Sequence, residues 1–281
     1  MGPLEWIRVL FLGILEGITE WIPVSSTGHM VIADEIWKTK APEIFTPEFV
    51  PVFYSVIRSG AAIAVATVFF NRLNPFSAQI SREQKQNIRY LWMKLFTASV
   101  PALACGFFAE PFIKKYLAGW QTVAAMLIVF AVIFVAADAF CRKRGCTIAK
   151  LADISFGRAA AAGSFQVISF IPGVSRLGIS ITGALFCGCS RYAAVEFSYF
   201  LAIPMLLSEC VFHIVRFLIK GQGINALQFV AMLAGMASAY LASVLTVRFM
   251  MHYVKRHNFN LFAFYRIILG IAVLILGFVF G

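Results

Sequence analysis

Glu16 and Glu20 stand four residues apart in a helical stretch, which places both carboxylates on one face. Two like charges so placed repel unless a cation or a proton sits between them. Carboxylate oxygens, with water and phosphate oxygens, suit Mg²⁺ or Ca²⁺; the plainer alternative is a water-facing pair at a helix mouth. Ser25, Ser26 and Thr27 follow, then Gly28 and His29. Hydroxyls and free backbone N–H groups at a helix start favour an anion, and capping alone accounts for one hydroxyl. A hydroxyl can attack phosphorus, and a histidine can take or return its proton. A second polar run holds Ser175, Arg176, Gly178 and Ser180. Its guanidinium matches phosphate oxygens bidentately; the alternative is an ion pair with Glu16 or Glu20. Acids for a metal, hydroxyls, a histidine and an arginine together form a kit for phosphoryl transfer.

These runs must be positioned inside a very apolar chain. It has 281 residues, 60% of them hydrophobic, and a mean hydropathy of +0.83, against 45–50% apolar in an ordinary soluble domain. Apolar stretches near 50–70, 89–109, 118–140, 193–219, 227–247 and 260–280 each suffice to cross a bilayer. Two more, near 4–33 and 157–189, contain the polar runs and read as re-entrant helix–turn–helix hairpins. Both pass through Ile-Pro into a hydroxyl-rich, Gly-broken turn: Ile22-Pro23-Val24-Ser25 and Ile171-Pro172-Gly173-Val174-Ser175. Irregular polar backbone at membrane depth is tolerated where it lines a protected cavity.

The formal net charge of +11 is not read as a nucleic-acid surface, because the basic residues lie between apolar spans. Arg72, Arg82, Lys85 and Arg89 form one cluster, Arg142, Lys143, Arg144, Lys150 and Arg158 a second, and Arg248, Lys255 and Arg256 a third. The alternate loops are mixed, as in Asp34, Glu35, Lys38, Lys40, Glu43 and Glu48. The positive-inside rule puts the basic loops in the cytoplasm. The expected fold is therefore all-α: one integral membrane domain over 1–281, built of two inverted-topology repeats, 1–150 and 151–281. Each repeat has one re-entrant hairpin and three transmembrane helices, and the polar site forms where the hairpins meet. No cleavable signal peptide is expected, since Glu16 and Glu20 interrupt the first apolar stretch. The six cysteines show no metal-ligand spacing, and neither a zinc site nor a disulfide is expected. Glu196 and Glu209 are expected to pair with other helix side chains, and Arg266 to snorkel to the interface.

At these residues the chain resembles the undecaprenyl-diphosphate phosphatase family of the bacitracin-resistance type. The segment Glu16-Gly17-Ile18-Thr19-Glu20-Trp21-Ile22-Pro23-Val24-Ser25-Ser26-Thr27-Gly28-His29 is similar to the family's first signature, and Pro172 to Gly178 to its second with one change. Likeness continues through Ser190–Ala194, Glu196–Ser198, Ala202–Pro204 and Phe262–Arg266. The resemblance implies a multi-pass enzyme of the bacterial inner membrane, open to the periplasmic side, that hydrolyses undecaprenyl diphosphate and recycles the carrier for wall polymers. It implies a divalent cation, Mg²⁺ or Ca²⁺, held by Glu16 and Glu20, and catalysis by Glu20, Ser26, His29 and Arg176, with Ser26 or His29 as nucleophile. Ser25, Thr27, Gly28, Ser175, Gly178 and Ser180 then bind substrate. The lipid substrate and the bilayer are the partners, with a second copy of the chain as a further candidate. Departures occur at Leu177, where the family has Ser, at Tyr54, where it has Glu, and at Arg58, where it has Gln. Arg58 either holds a further phosphate oxygen or neutralises a glutamate and alters metal use. A transporter or flippase of a phosphorylated lipid is the competing class, and a phosphatase of another isoprenoid diphosphate the closer variant.

Overall fold

The computed structural model describes residues 3–37 and 45–280; Lys38, Lys40 and Glu43 of the mixed-charge loop lie outside them. The described residues form helices joined by short turns, with one isolated bridge between Ile148 and Cys189. The first hairpin is α1 (Pro3–Thr19) and α2 (Ser26–Trp37). Then come α3 (Val50–Val68), the short α4 (Phe70–Leu73), α5 (Arg82–Tyr116) and α6 (Trp120–Arg144). The second hairpin is α7 (Phe156–Ser164), a 3₁₀ stretch Phe165–Phe170, and α8 (Arg176–Phe186). The chain closes with α9 (Arg191–Ile219), α10 (Ala226–Tyr253) and α11 (Asn260–Phe280). The six expected spans thus fall on α3, α5, α6, α9, α10 and α11. Five of these are long and apolar enough to cross a bilayer by length and composition. The sixth, α5, begins in the charged run Arg82-Glu83-Gln84-Lys85 and reaches the apolar stretch only later.

Both hairpins break for the same local reason. Proline lacks an N–H and disfavours a helical predecessor, so Ile22-Pro23 and Ile171-Pro172 stop helical bonding. A serine then restarts it: Ser25 Oγ accepts from the Gly28 amide at 3.5 Å and Ser175 Oγ from the Gly178 amide at 3.1 Å. Ser25 has φ +75°, the one positive φ outside glycine among the described residues, and Gly173 has φ +93°. Such backbone persists in a non-glycine residue where its surroundings over-determine it.

The packing is exchanged between the halves. Helix α1 packs on α10 as α7 packs on α5; α3 packs on α10 as α9 packs on α5; α2 packs on α11 as α8 packs on α6. The pairs α3–α9 and α6–α11 pack on each other. The basic loops gather at one end. Arg72 pairs with Glu196, Lys94 Nζ donates to the Ala152 carbonyl at 2.9 Å, and Lys255 lies 5.5 Å from the Tyr192 ring. At that end Ser190 donates to the Ile148 carbonyl at 2.8 Å, which ties the start and finish of the second hairpin together. The first hairpin starts at the other end, where the Arg8 guanidinium lies 4.5 Å from the Phe45 ring just before α3.

Two expectations are corrected. Cys141 and Cys146 form a disulfide. Left-handed Gly145 turns the chain back at the end of α6, so that the Cys146 amide donates to the Cys141 carbonyl at 3.2 Å and brings the two Cα atoms to 5.2 Å. Arg266 does not snorkel. It is 1% exposed and donates to the carbonyls of Gly173 at 3.2 Å and Leu127 at 3.4 Å, bracing the second hairpin turn.

Candidate active site

The tips of the two hairpins meet over a small polar cavity lined by Glu20, Ser25, Ser26, Thr27, Arg58, Ser169, Val174, Ser175 and Arg176. A chain of alternating charge runs along it from Glu16 to Glu20. Glu16 lies in the last turns of α1 and Glu20 one turn on, its amide donating to the Glu16 carbonyl at 2.9 Å. Arg58, on α3, donates through Nε to Glu16 Oε1 at 3.0 Å and through Nη1 to Glu209 Oε1 at 2.7 Å. Arg176, the first residue of α8, donates through Nη2 to Glu209 Oε2 at 2.8 Å, with Nη1 3.9 Å from Glu20 Oε1. Where this chain of charge ends, Ser26 Oγ donates to Glu20 Oε2 at 2.9 Å. Glu16 is fully buried and Glu20 nearly so. Charges so far from water are tolerated because Glu16 and Glu209 accept hydrogen bonds from guanidiniums, and Glu20 has the Ser26 hydroxyl and the Arg176 charge beside it.

His29, one turn into α2, has both ring nitrogens engaged by groups other than the Ser26 hydroxyl. Its Nδ1 is 2.8 Å from the Ser25 carbonyl, which only accepts, so Nδ1 carries the proton. In that tautomer Nε2 accepts from the Tyr265 hydroxyl at 2.7 Å. The two rings stack at 5.6 Å. The carboxylate in contact with Ser26 is that of Glu20.

Of the expected substrate residues, Ser25, Thr27, Ser175 and Arg58 line the cavity and Ser180 does not. Ser180 is buried and accepts from Gln166 Nε2 at 2.7 Å, tying α8 to the 3₁₀ stretch. Gly28 and Gly178 are close-approach positions. A Cβ on Gly28 would lie 3.1 Å from the Leu127 and Leu269 methyls, and one on Gly178 3.2 Å from Arg266 Nη1. Glu209, expected only to pair with other helix side chains, joins both arginines. Its signal was an acid inside an apolar span. Tyr265 and Ser169 were not singled out; nothing in their local sequence distinguishes them from packing residues.

A resident divalent cation does not fit the acids as they stand. The cluster's carboxylate oxygens already face a guanidinium or a hydroxyl, except Glu16 Oε2, which is buried without a hydrogen-bond partner among the described residues. One free carboxylate oxygen would leave Mg²⁺ or Ca²⁺ to draw nearly all of its six or so ligands from water and phosphate oxygens. Among the described residues no three His, Cys, Asp or Glu side chains come together as metal ligands do.

Fold and site together define a multi-pass helical membrane protein with a buried centre of acids, arginines and hydroxyls. Residues 9–272 match the family described as bacitracin resistance protein BacA, and the chain belongs to that family. It is 40% identical over 275 residues to the undecaprenyl-diphosphatase of Enterococcus faecalis, covering 97% of each chain. It is 37% identical over 278 residues to the undecaprenyl-diphosphatase of Lactobacillus delbrueckii subsp. bulgaricus, covering 99% of this chain and all of that one. It is likewise 37% identical over 272 residues to that of Acetivibrio thermocellus, covering 97% of each chain.

Proposed function

We infer that this chain is an undecaprenyl-diphosphate phosphatase that releases inorganic phosphate and leaves undecaprenyl phosphate. The observation that carries this reading is the Ser26–Glu20 contact beside Arg176 in one buried cavity. Glu20 takes the Ser26 proton as Oγ attacks the terminal phosphorus. The bond from that phosphorus to the bridging oxygen breaks, and the lipid monophosphate leaves. Arg176 faces the charge that grows on the phosphoryl oxygens. Water then attacks the phosphoserine and restores the hydroxyl. His29, held by Ser25 and Tyr265, fixes the turn that presents Ser26, and its Nε2 lone pair is taken up by the Tyr265 hydroxyl.

The halves are proposed to be inverted repeats spanning the inner membrane, with the hairpins entering from opposite sides. The exchanged packing, the basic loops at one end and the opposite starts of the hairpins support this. With basic loops in the cytoplasm, the first hairpin opens to the periplasm.

The test is phosphate release from undecaprenyl diphosphate by the purified protein in detergent, beside Ser26→Ala and Arg176→Ala. Release by the parent chain, lost in both variants, is expected. Release that survives Ser26→Ala removes Ser26 as nucleophile. No release from folded parent protein rejects the activity.

A further inference from the structure

The least expected charge at the site is Arg58. It sits midway along α3 and donates to carboxylates from both halves, Glu16 at 3.0 Å and Glu209 at 2.7 Å. Its side chain lines the cavity that holds Ser26 and Arg176. Arg58 and Arg176 grip the two oxygens of the same carboxylate, Glu209. That shared brace sets the spacing of two guanidiniums at one cavity, an arrangement suited to the two phosphoryl groups of a diphosphate.

A dication bound at Glu16 would have to take the oxygen next to the one Arg58 Nε holds, and so sit against a fixed positive charge. That repulsion is strong where water is excluded. Displacing Arg58 instead would leave a guanidinium unpaired inside the membrane. We propose that Arg58 is the resident cation of this site, taking at the Glu16 carboxylate the place that a divalent metal would take, so that diphosphate hydrolysis here needs no metal. Glu209 is the positioning residue for both arginines. The proposal rests on the phosphatase reading for its substrate but not for its ion chemistry.

Two measurements on the full-length protein in detergent separate them. The first is phosphate release in Mg²⁺ and in excess chelator. Rates within about threefold of each other support the proposal; a loss of about 100-fold in chelator, restored by Mg²⁺, overturns it and leaves the phosphatase reading standing. No release in either condition rejects the phosphatase reading, and the second measurement then decides alone. That measurement is Mn²⁺ binding without substrate, followed by electron paramagnetic resonance. No stoichiometric Mn²⁺ on the parent chain is expected, and one Mn²⁺ on folded Arg58→Gln, whose glutamates are released. One tight Mn²⁺ on the parent chain, lost in Glu16→Gln, overturns the proposal. Arg58→Lys, which keeps the charge, is expected to remain active in chelator where Arg58→Gln is not; equal activity of Arg58→Gln and the parent there also overturns it.

Discussion

In the proposed mechanism Glu20 is the base for Ser26, whose hydroxyl donates to it at 2.9 Å while both nitrogens of His29 meet other groups. Removing a nucleophile, or a base in contact with it, removes stabilisation present only in the transition state. Ser26→Ala and Glu20→Gln are each expected to lower kcat by about 10³-fold or more, with elution unchanged on size exclusion. Tyr265→Phe loses one hydrogen bond to a positioning histidine, so a fall of about tenfold is expected, well short of the Ser26 effect. A fall as deep as Ser26→Ala would place the His29–Tyr265 pair in the chemistry itself. Glu209→Gln keeps the shape and removes the charge that aligns two arginines. It is expected to raise KM and lower kcat together, by about 10–100-fold in kcat/KM. Steady-state kinetics in detergent tests both.

The hairpins hold their places by close backbone approach. A Cβ on Gly13 of α1 would meet Ser238 Oγ at 2.0 Å and the Gly235 carbonyl at 2.4 Å, and one on Gly17 the Ala239 carbonyl at 2.4 Å. The second hairpin does the same against α5, where a Cβ on Gly163 would lie 2.1 Å from the Ala98 carbonyl. Small residues let membrane helices pack backbone to backbone, where dispersion rather than the hydrophobic effect supplies attraction. Gly17→Val and Gly163→Val are therefore expected to destabilise by about 1–3 kcal/mol or more, read as a lowered Tm in a detergent thermal-shift assay. Ser175→Ala removes the cap of α8 and is expected to cost about 1 kcal/mol. An unchanged Tm in the glycine variants would mean that the hairpins are held elsewhere. The glycines were visible in the sequence, but the carbonyls they face come from helices more than 60 residues away.

The whole molecule is organised by the exchange of partners between its halves and by the gathering of basic loops at one end. A positive-inside orientation makes a prediction for intact cells. In a cysteine-free background, Gly223→Cys, between α9 and α10, is expected to react with an impermeant maleimide from outside. Gln86→Cys, at the basic end, should react only after permeabilisation. The reverse pattern would turn the site towards the cytoplasm.

The sequence by itself determined the six long helices, five of them long and apolar enough to cross a bilayer, the two broken hairpins, and the acids, hydroxyls and Arg176 they carry. Each of these rests on local physics: apolar length, proline and glycine punctuation, and the cost of charge in lipid. Only the tertiary structure decided who meets whom. Arg58 and Arg176 lie 118 residues apart and are joined by Glu209 from a third helix. His29 meets Tyr265, 236 residues away. Arg266 leaves the interface to brace Gly173. Hydrogen bonds and ion pairs act over about 3–4 Å of space, a distance on which order along the chain has no bearing until the helices pack.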